Sequence, residues 1–96
     1  MNREQAITLL RSAKPVLASQ FGVTRLALFG SVVRDQAGAD SDIDVLISFS
    51  GAANAKCYFG AQFYLEDLLG EPVDLVTEKT LRAELKPFIE RDLIDV

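Results

Sequence analysis

From Arg3 to Gln20, apolar side chains fall at Ala6, Ile7, Leu9, Leu10, Ala13, Val16 and Leu17, with Arg3, Glu4, Arg11, Ser12 and Ser19 between them. A recurrence every three to four residues predicts an amphipathic helix ending near Phe21-Gly22. Pro15 lacks the amide that an interior turn donates, so it marks the place where that helix would kink or break. The period then changes. Thr24-Arg25-Leu26-Ala27-Leu28-Phe29, bounded by Gly22 and Gly30, has the length and composition of a strand. Residues 31–37 read as a short helix capped by Ser31, and Gly38-Ala39-Asp40-Ser41 as a polar loop.

A second strand is expected over residues 43–49. After the linker-like residues 51–56, a helix is expected over 58–69, on Phe59, Phe63, Leu65, Leu68 and Leu69, closed by Gly70. A third strand follows over 72–77. The spacing of Leu81, Leu85, Phe88, Ile89 and Leu93 predicts a helical tail over 79–96, interrupted at Pro87. This order of elements predicts an α/β (α+β) chain, a small mixed β-sheet with helices packed on it. There is no internal repeat and no low-complexity segment.

The chain has 96 residues, the size of one domain, expected to run over 1–96, and its 49% hydrophobic content is enough to bury a core. No apolar run nears the roughly 20 residues that cross a bilayer, and the start of the chain lacks the pattern of a secretory leader, so a cytoplasmic location is expected. A single cysteine, Cys57, and no histidine exclude an internal disulfide, a histidine triad and a zinc site. The net charge of −4 disfavours direct binding of nucleic acid, which relies on clustered Lys and Arg.

The acids carry the candidate chemistry. Asp42 and Asp44 are two apart at the start of the second strand, so the strand period directs both to one face. Adjacent carboxylates repel unless a proton or cation intervenes, and hard oxygen donors favour Mg²⁺ or Mn²⁺. Asp74 lies inside the apolar strand Val73-Asp74-Leu75-Val76, where a charge facing the core would be costly. Beside the second strand, it would complete a carboxylate set able to hold two ions. Gly30-Ser31, between a strand and a helix, suits a phosphate, because glycine admits a ligand close to backbone amides. Arg34, three residues on, could reach the same phosphates. Taken singly, these residues also read as ordinary turn acids, a serine cap and a solvated arginine. Tyr58, Phe59, Phe63 and Tyr64 read as core or partner-facing rather than as a base-stacking platform, and Cys57 as a half-buried or buried structural residue.

Together, Gly30-Ser31, ten intervening residues, Asp42-Ile43-Asp44 and the later Asp74 resemble the GSx₁₀DxD pattern of the polymerase-beta-like nucleotidyltransferases. Leu28-Phe29-Gly30-Ser31-Val32-Val33-Arg34 and Ser41-Asp42-Ile43-Asp44-Val45-Leu46 are similar to the minimal nucleotidyltransferase branch, and the likeness spans nearly the whole chain. The resemblance implies a polymerase-beta-like fold and a Mg²⁺-dependent transferase using ATP and two ions. Asp42, Asp44 and Asp74 would be the metal-binding and catalytic acids, with Gly30, Ser31 and Arg34 at the nucleotide. It further implies an antitoxin that transfers AMP to a tyrosine of a HEPN-domain ribonuclease toxin. Two alternatives stay open: neutralisation of that partner by binding alone, and a transferase subunit acting on a small hydroxylated molecule.

Overall fold

The computed structural model describes residues 1–34, 42–51, 54–80 and 93–96. The first helix, α1, spans Arg3–Phe21 and starts in a capping box. Asn2 Oδ1 accepts from the Gln5 amide at 2.8 Å, and Gln5 Oε1 accepts from the Asn2 amide at 3.1 Å, which satisfies two otherwise orphaned donors. It runs through Pro15 without a break, as a single helix; Pro15 lies on the exposed face, where water can meet the carbonyl it leaves unpaired. Gly22, at φ +72°, ends the helix in the left-handed conformation. Ala6, Leu10, Ala13 and Leu17 form its buried stripe.

Strand β1 (Val23–Phe29) follows, then a 3-10 turn over Gly30–Val32, strand β2 (Ile43–Phe49), helix α2 (Ala55–Leu69), strand β3 (Val73–Thr77) and strand β4 (Ile94–Asp95). They form one sheet in the order β3-β2-β1-β4, with β1 antiparallel to β2 and β4, and β2 parallel to β3. A parallel pair needs a crossover, and α2 supplies it. The adjacency of the second and third strands, on which the carboxylate set depends, is therefore present.

Three expectations change. Ile94–Asp95 pair with β1 as a strand where a helical tail was expected; residues 78–80 are helical, and residues 81–92, with Leu81, Leu85, Pro87, Phe88 and Ile89, lie outside the described residues. The turn after β1 begins at Gly30 with Phe29 in the cap position, so Ser31 is inside it rather than its cap. Residues 35–37 and the Ser31 side chain are outside the description. Helix α2 starts three residues early, at Ala55, because Asn54 Oδ1 accepts from the Cys57 amide at 2.8 Å. Phe59 and Phe63, read as part of its apolar pattern, are exposed; Ala61, Leu65 and Leu69 face the core.

The sheet has two unlike faces. Leu26, Leu28, Val45, Ile47, Val73 and Leu75 join the buried stripes of α1 and α2 in the main core. At roughly 1.5–3 kcal/mol for each large side chain removed from water, this layer supplies most of the stabilisation. The helices meet closely at Gly60: a Cβ there would lie 2.5 Å from Phe21 Cε1. On the other face, Ala27, Phe29 and Leu46 form a smaller cluster with Val76 and Leu93 against it.

Helix α2 also closes the open side of β3. Tyr58 donates its hydroxyl hydrogen to the Leu75 carbonyl, Gln62 Nε2 donates to the Val73 carbonyl at 3.2 Å, and Glu66 Oε2 accepts from the Val73 amide at 3.1 Å. Spaced four residues apart, these three side chains stand on one stripe of the helix. They satisfy backbone groups that an edge strand otherwise presents to solvent.

Candidate active site

Register places the acids. Asp44 is the second residue of β2, opposite Phe29 on one side and Asp74 on the other. Directly opposed residues share a sheet face, so the Asp44 and Asp74 side chains leave the sheet together, on the face away from α1. Asp42 sits one residue before β2 and two before Asp44, and is exposed, as is Asp74; Asp44 is half-buried. The expected convergence of a third-strand acid with the Asp42-Ile43-Asp44 segment is thus met.

The Asp44 carboxyl is pushed up to about 6, first by burial, then by the charge of Asp74 and a hydrogen bond with it, and then by the charge of Asp42. Two carboxylates in such a contact share a proton or recruit a cation. Arg34, on the turn after β1, acts in the opposite direction and favours the charged form. It belongs to the same electrostatic neighbourhood as the acids.

Gly30 stands against Asp44. Its φ of +80° is a conformation that side chains disfavour, and a Cβ at this position would overlap Asp44 Oδ2 and lie 2.9 Å from its Cγ. Only glycine lets the turn come this close to the acid. The turn is held by the Val33 amide, which donates to the Gly30 carbonyl at 3.2 Å, and by Arg3 Nη1 from the start of α1, which donates to the Val33 carbonyl at 3.2 Å. Arg3 is a contributor that sequence reading placed only on a polar helix face. Nothing local marks it, because its partner is 30 residues away.

Among the described residues, no three His, Cys, Asp or Glu side chains converge tightly enough to make a ready-built metal cage. The donor chemistry nonetheless suits a hard divalent cation: the oxygens of Asp44 and Asp74 are in contact, Asp42 adds negative charge, and the group carries more repulsion than Arg34 offsets. Mg²⁺ commonly takes one or two carboxylates and completes its shell with substrate phosphates and water. No helix among the described residues is long and apolar enough to cross a membrane.

Comparison with known proteins agrees with this geometry. The family model for a nucleotidyltransferase domain matches residues 10–96. The protein adenylyltransferase MntA of Thermococcus cleftensis is 34% identical over 93 residues, which cover 97% of this chain and 94% of that protein. A solved structure of a candidate minimal nucleotidyltransferase superposes with a TM-score of 0.81 at 33% identity, covering 100% of this chain and 97% of that one. A crystal structure of a toxin–antitoxin with AMP-PNP superposes with a TM-score of 0.57 at 25% identity, covering 83% of this chain and 60% of that one.

Proposed function

The chain belongs to the nucleotidyltransferase-domain family, and on that premise we propose that it is a divalent-cation-dependent protein adenylyltransferase acting as an antitoxin. It transfers AMP from ATP to a tyrosine hydroxyl of a HEPN-domain ribonuclease toxin. The observation that carries this reading is the placement of Asp44 between a like-charged neighbour, Asp74, and a glycine turn with no side chain. Support comes from the similarity to MntA, a protein adenylyltransferase, and to a toxin–antitoxin structure with AMP-PNP, an ATP analogue.

In this reading Gly30 and Ser31 receive the phosphates at the turn, and Arg34 balances their charge. Asp42 and Asp44 would hold the cation, Mg²⁺ with Mn²⁺ as its chemical substitute, and Asp74 would complete the set on the acceptor side. When bound, two such ions would offset the carboxylate repulsion and the charge that develops on the leaving group. The acceptor hydroxyl oxygen bonds to the α-phosphorus, the bond from that phosphorus to the pyrophosphate oxygen breaks, and pyrophosphate departs in line. Asp74 orients the hydroxyl and accepts its proton. Reliance on ATP supports a cytoplasmic location for this activity.

The test is to incubate the protein with Mg²⁺, the toxin and ATP labelled at either the α- or the γ-phosphate. Label is expected on the toxin from the α-position alone, and none with Asp44→Asn. Neutralisation of the toxin without any label would replace transfer with simple binding.

A further inference from the structure

The site has two sides, and they are unlike. On one side of Asp44 lies Phe29 of β1, followed by the Gly30 turn; on the other lies Asp74 of β3, the outermost strand of the sheet. With the phosphates at the glycine turn, an acceptor hydroxyl must arrive from the β3 side. Beyond β3 lies α2, joined to its outer backbone groups by Tyr58, Gln62 and Glu66. A macromolecule that delivers a hydroxyl to Asp74 from that side meets the outward surface of α2.

That surface carries the two large exposed apolar side chains found among the described residues, Phe59 at 51% and Phe63 at 65% exposure. Their rings stack with centroids 6.5 Å apart and an interplanar angle of 28°. Phe59 also meets the Tyr58 ring edge-on at 5.3 Å, and the Tyr58 hydroxyl bonds the Leu75 carbonyl, next to Asp74. An aromatic chain thus connects the exposed pair to the acid strand. Exposed Lys56 and Asp67 flank the pair on the same helix. An apolar aromatic centre within a polar rim is the usual composition of a protein-binding hot spot.

We propose that the Phe59–Phe63 surface of α2 is where the protein acceptor docks, so that its tyrosine reaches round the α2-covered edge of β3 to Asp74. This inference rests on the transferase reading for the identity of the occupant, the HEPN-domain toxin. Position favours that occupant over a second copy of this chain: the Phe59–Tyr58 contact leads to the Leu75 carbonyl beside Asp74, so a partner covering the pair also reaches the strand that would receive its hydroxyl. Two partly exposed phenylalanines offer on the order of 200 Å², against about 800 Å² per partner in a stable interface. The pair therefore suits an anchor within a larger contact that also covers the rim of the acid site.

The test measures the affinity of the purified toxin for the full chain by calorimetry, in wild type, Phe59→Ser/Phe63→Ser and Phe63→Leu, each with and without Asp44→Asn. The double serine variant should bind at least ~30-fold more weakly, the scale of losing a hot-spot aromatic. Phe63→Leu should recover most of the affinity, and the melting temperature should stay near that of wild type because both rings are exposed. Affinity within about threefold of wild type would overturn the docking surface, even if the wild type labels the toxin. Loss of affinity in the double variant, combined with no labelling by the wild type, would keep the docking surface and remove the transferase reading. No binding of toxin to the wild type, or a concentration-dependent dimer of the chain that the double variant disrupts, would show the occupant to be wrong.

Discussion

Two groups of charged side chains share one face of the sheet and stand at opposite ends of its strands. Around Arg25, at the start of β1, charge is matched: Nε donates to Asp95 Oδ1 at 2.7 Å, Nη2 to Asp95 Oδ2 at 3.1 Å, and Nη1 to Glu78 Oε1 at 2.5 Å. This fork ties β1 to β4 and to the segment after β3, and it holds the Asp95 carboxyl below the usual carboxylate range. Around Asp44, at the start of β2, charge is unmatched: Asp74 is in contact, Asp42 adds its charge, and the Asp44 carboxyl is pushed up to about 6. One group stabilises the fold by itself, while the other, among the described residues, retains an excess of negative charge that a bound cation would offset. The same sheet keeps structural and chemical electrostatics apart by spacing them along its strands.

The contrast is sharpest in Asp44→Asn. Transfer of AMP should fall by at least ~10²–10³-fold, measured with α-labelled ATP. In metal-free buffer at pH 7 the same variant should melt at a higher temperature than wild type, because a repulsive charge is gone. A lower melting temperature there would mean that Asp44 serves the fold, as Arg25 does.

Gly30→Ala tests the close approach on the acid side. The left-handed φ and the overlap with Asp44 should lower stability by about 1–3 kcal/mol in urea titration, with loss of transfer. A variant that is unaffected in both would break the link between the turn and the acid.

Acid titration should separate the two groups by sign. Asp44 has a raised folded value, so its ionisation opposes folding. That penalty is full above about pH 6 and fades as pH falls toward the unfolded value of roughly 4. Asp95 has a lowered folded value, so its contribution is present above the unfolded value and lost as pH falls through the folded one. Metal-free protein should therefore gain stability from pH 7 to 5 and lose it below 4. Asp44→Asn should remove the first limb and Asp95→Asn should blunt the second, read by melting temperature across pH.

The smallest effect should come from Arg25→Gln. The pair is well exposed, with Arg25 and Asp95 side chains at 37% and 59%, so solvent screening limits the loss to about 0.5–1 kcal/mol. Transfer by the folded protein should be unchanged.

Much of the acid site was legible because its spacing is local. A two-residue interval sends Asp42 and Asp44 to one face wherever a strand forms, and an acid within Val73-Asp74-Leu75-Val76 has to face away from the core. Whether β3 lies beside β2 is a matter of topology, which no short pattern encodes, and it entered as an expectation that the sheet order met. Strand β4 escaped notice because two paired residues at the end of a run with helical spacing leave no period of their own. The exposure of Phe59 and Phe63 was hidden for a related reason. Their spacing fits the helix, but which stripe turns inward is decided by Ala61, Leu65 and Leu69 against the sheet and by Gly60 against Phe21.

The polar stripe of α2 has one more consequence, for alignment. Side chains of a strand alternate between faces, so sliding β3 by a single residue along β2 would turn Asp74 toward the helices and Val73 and Leu75 toward water. Tyr58, Gln62 and Glu66 grip Val73 and Leu75 from the outside at fixed positions along a rigid helix. They act as a vernier that admits one setting of the strand, the setting in which Asp74 stands level with Asp44.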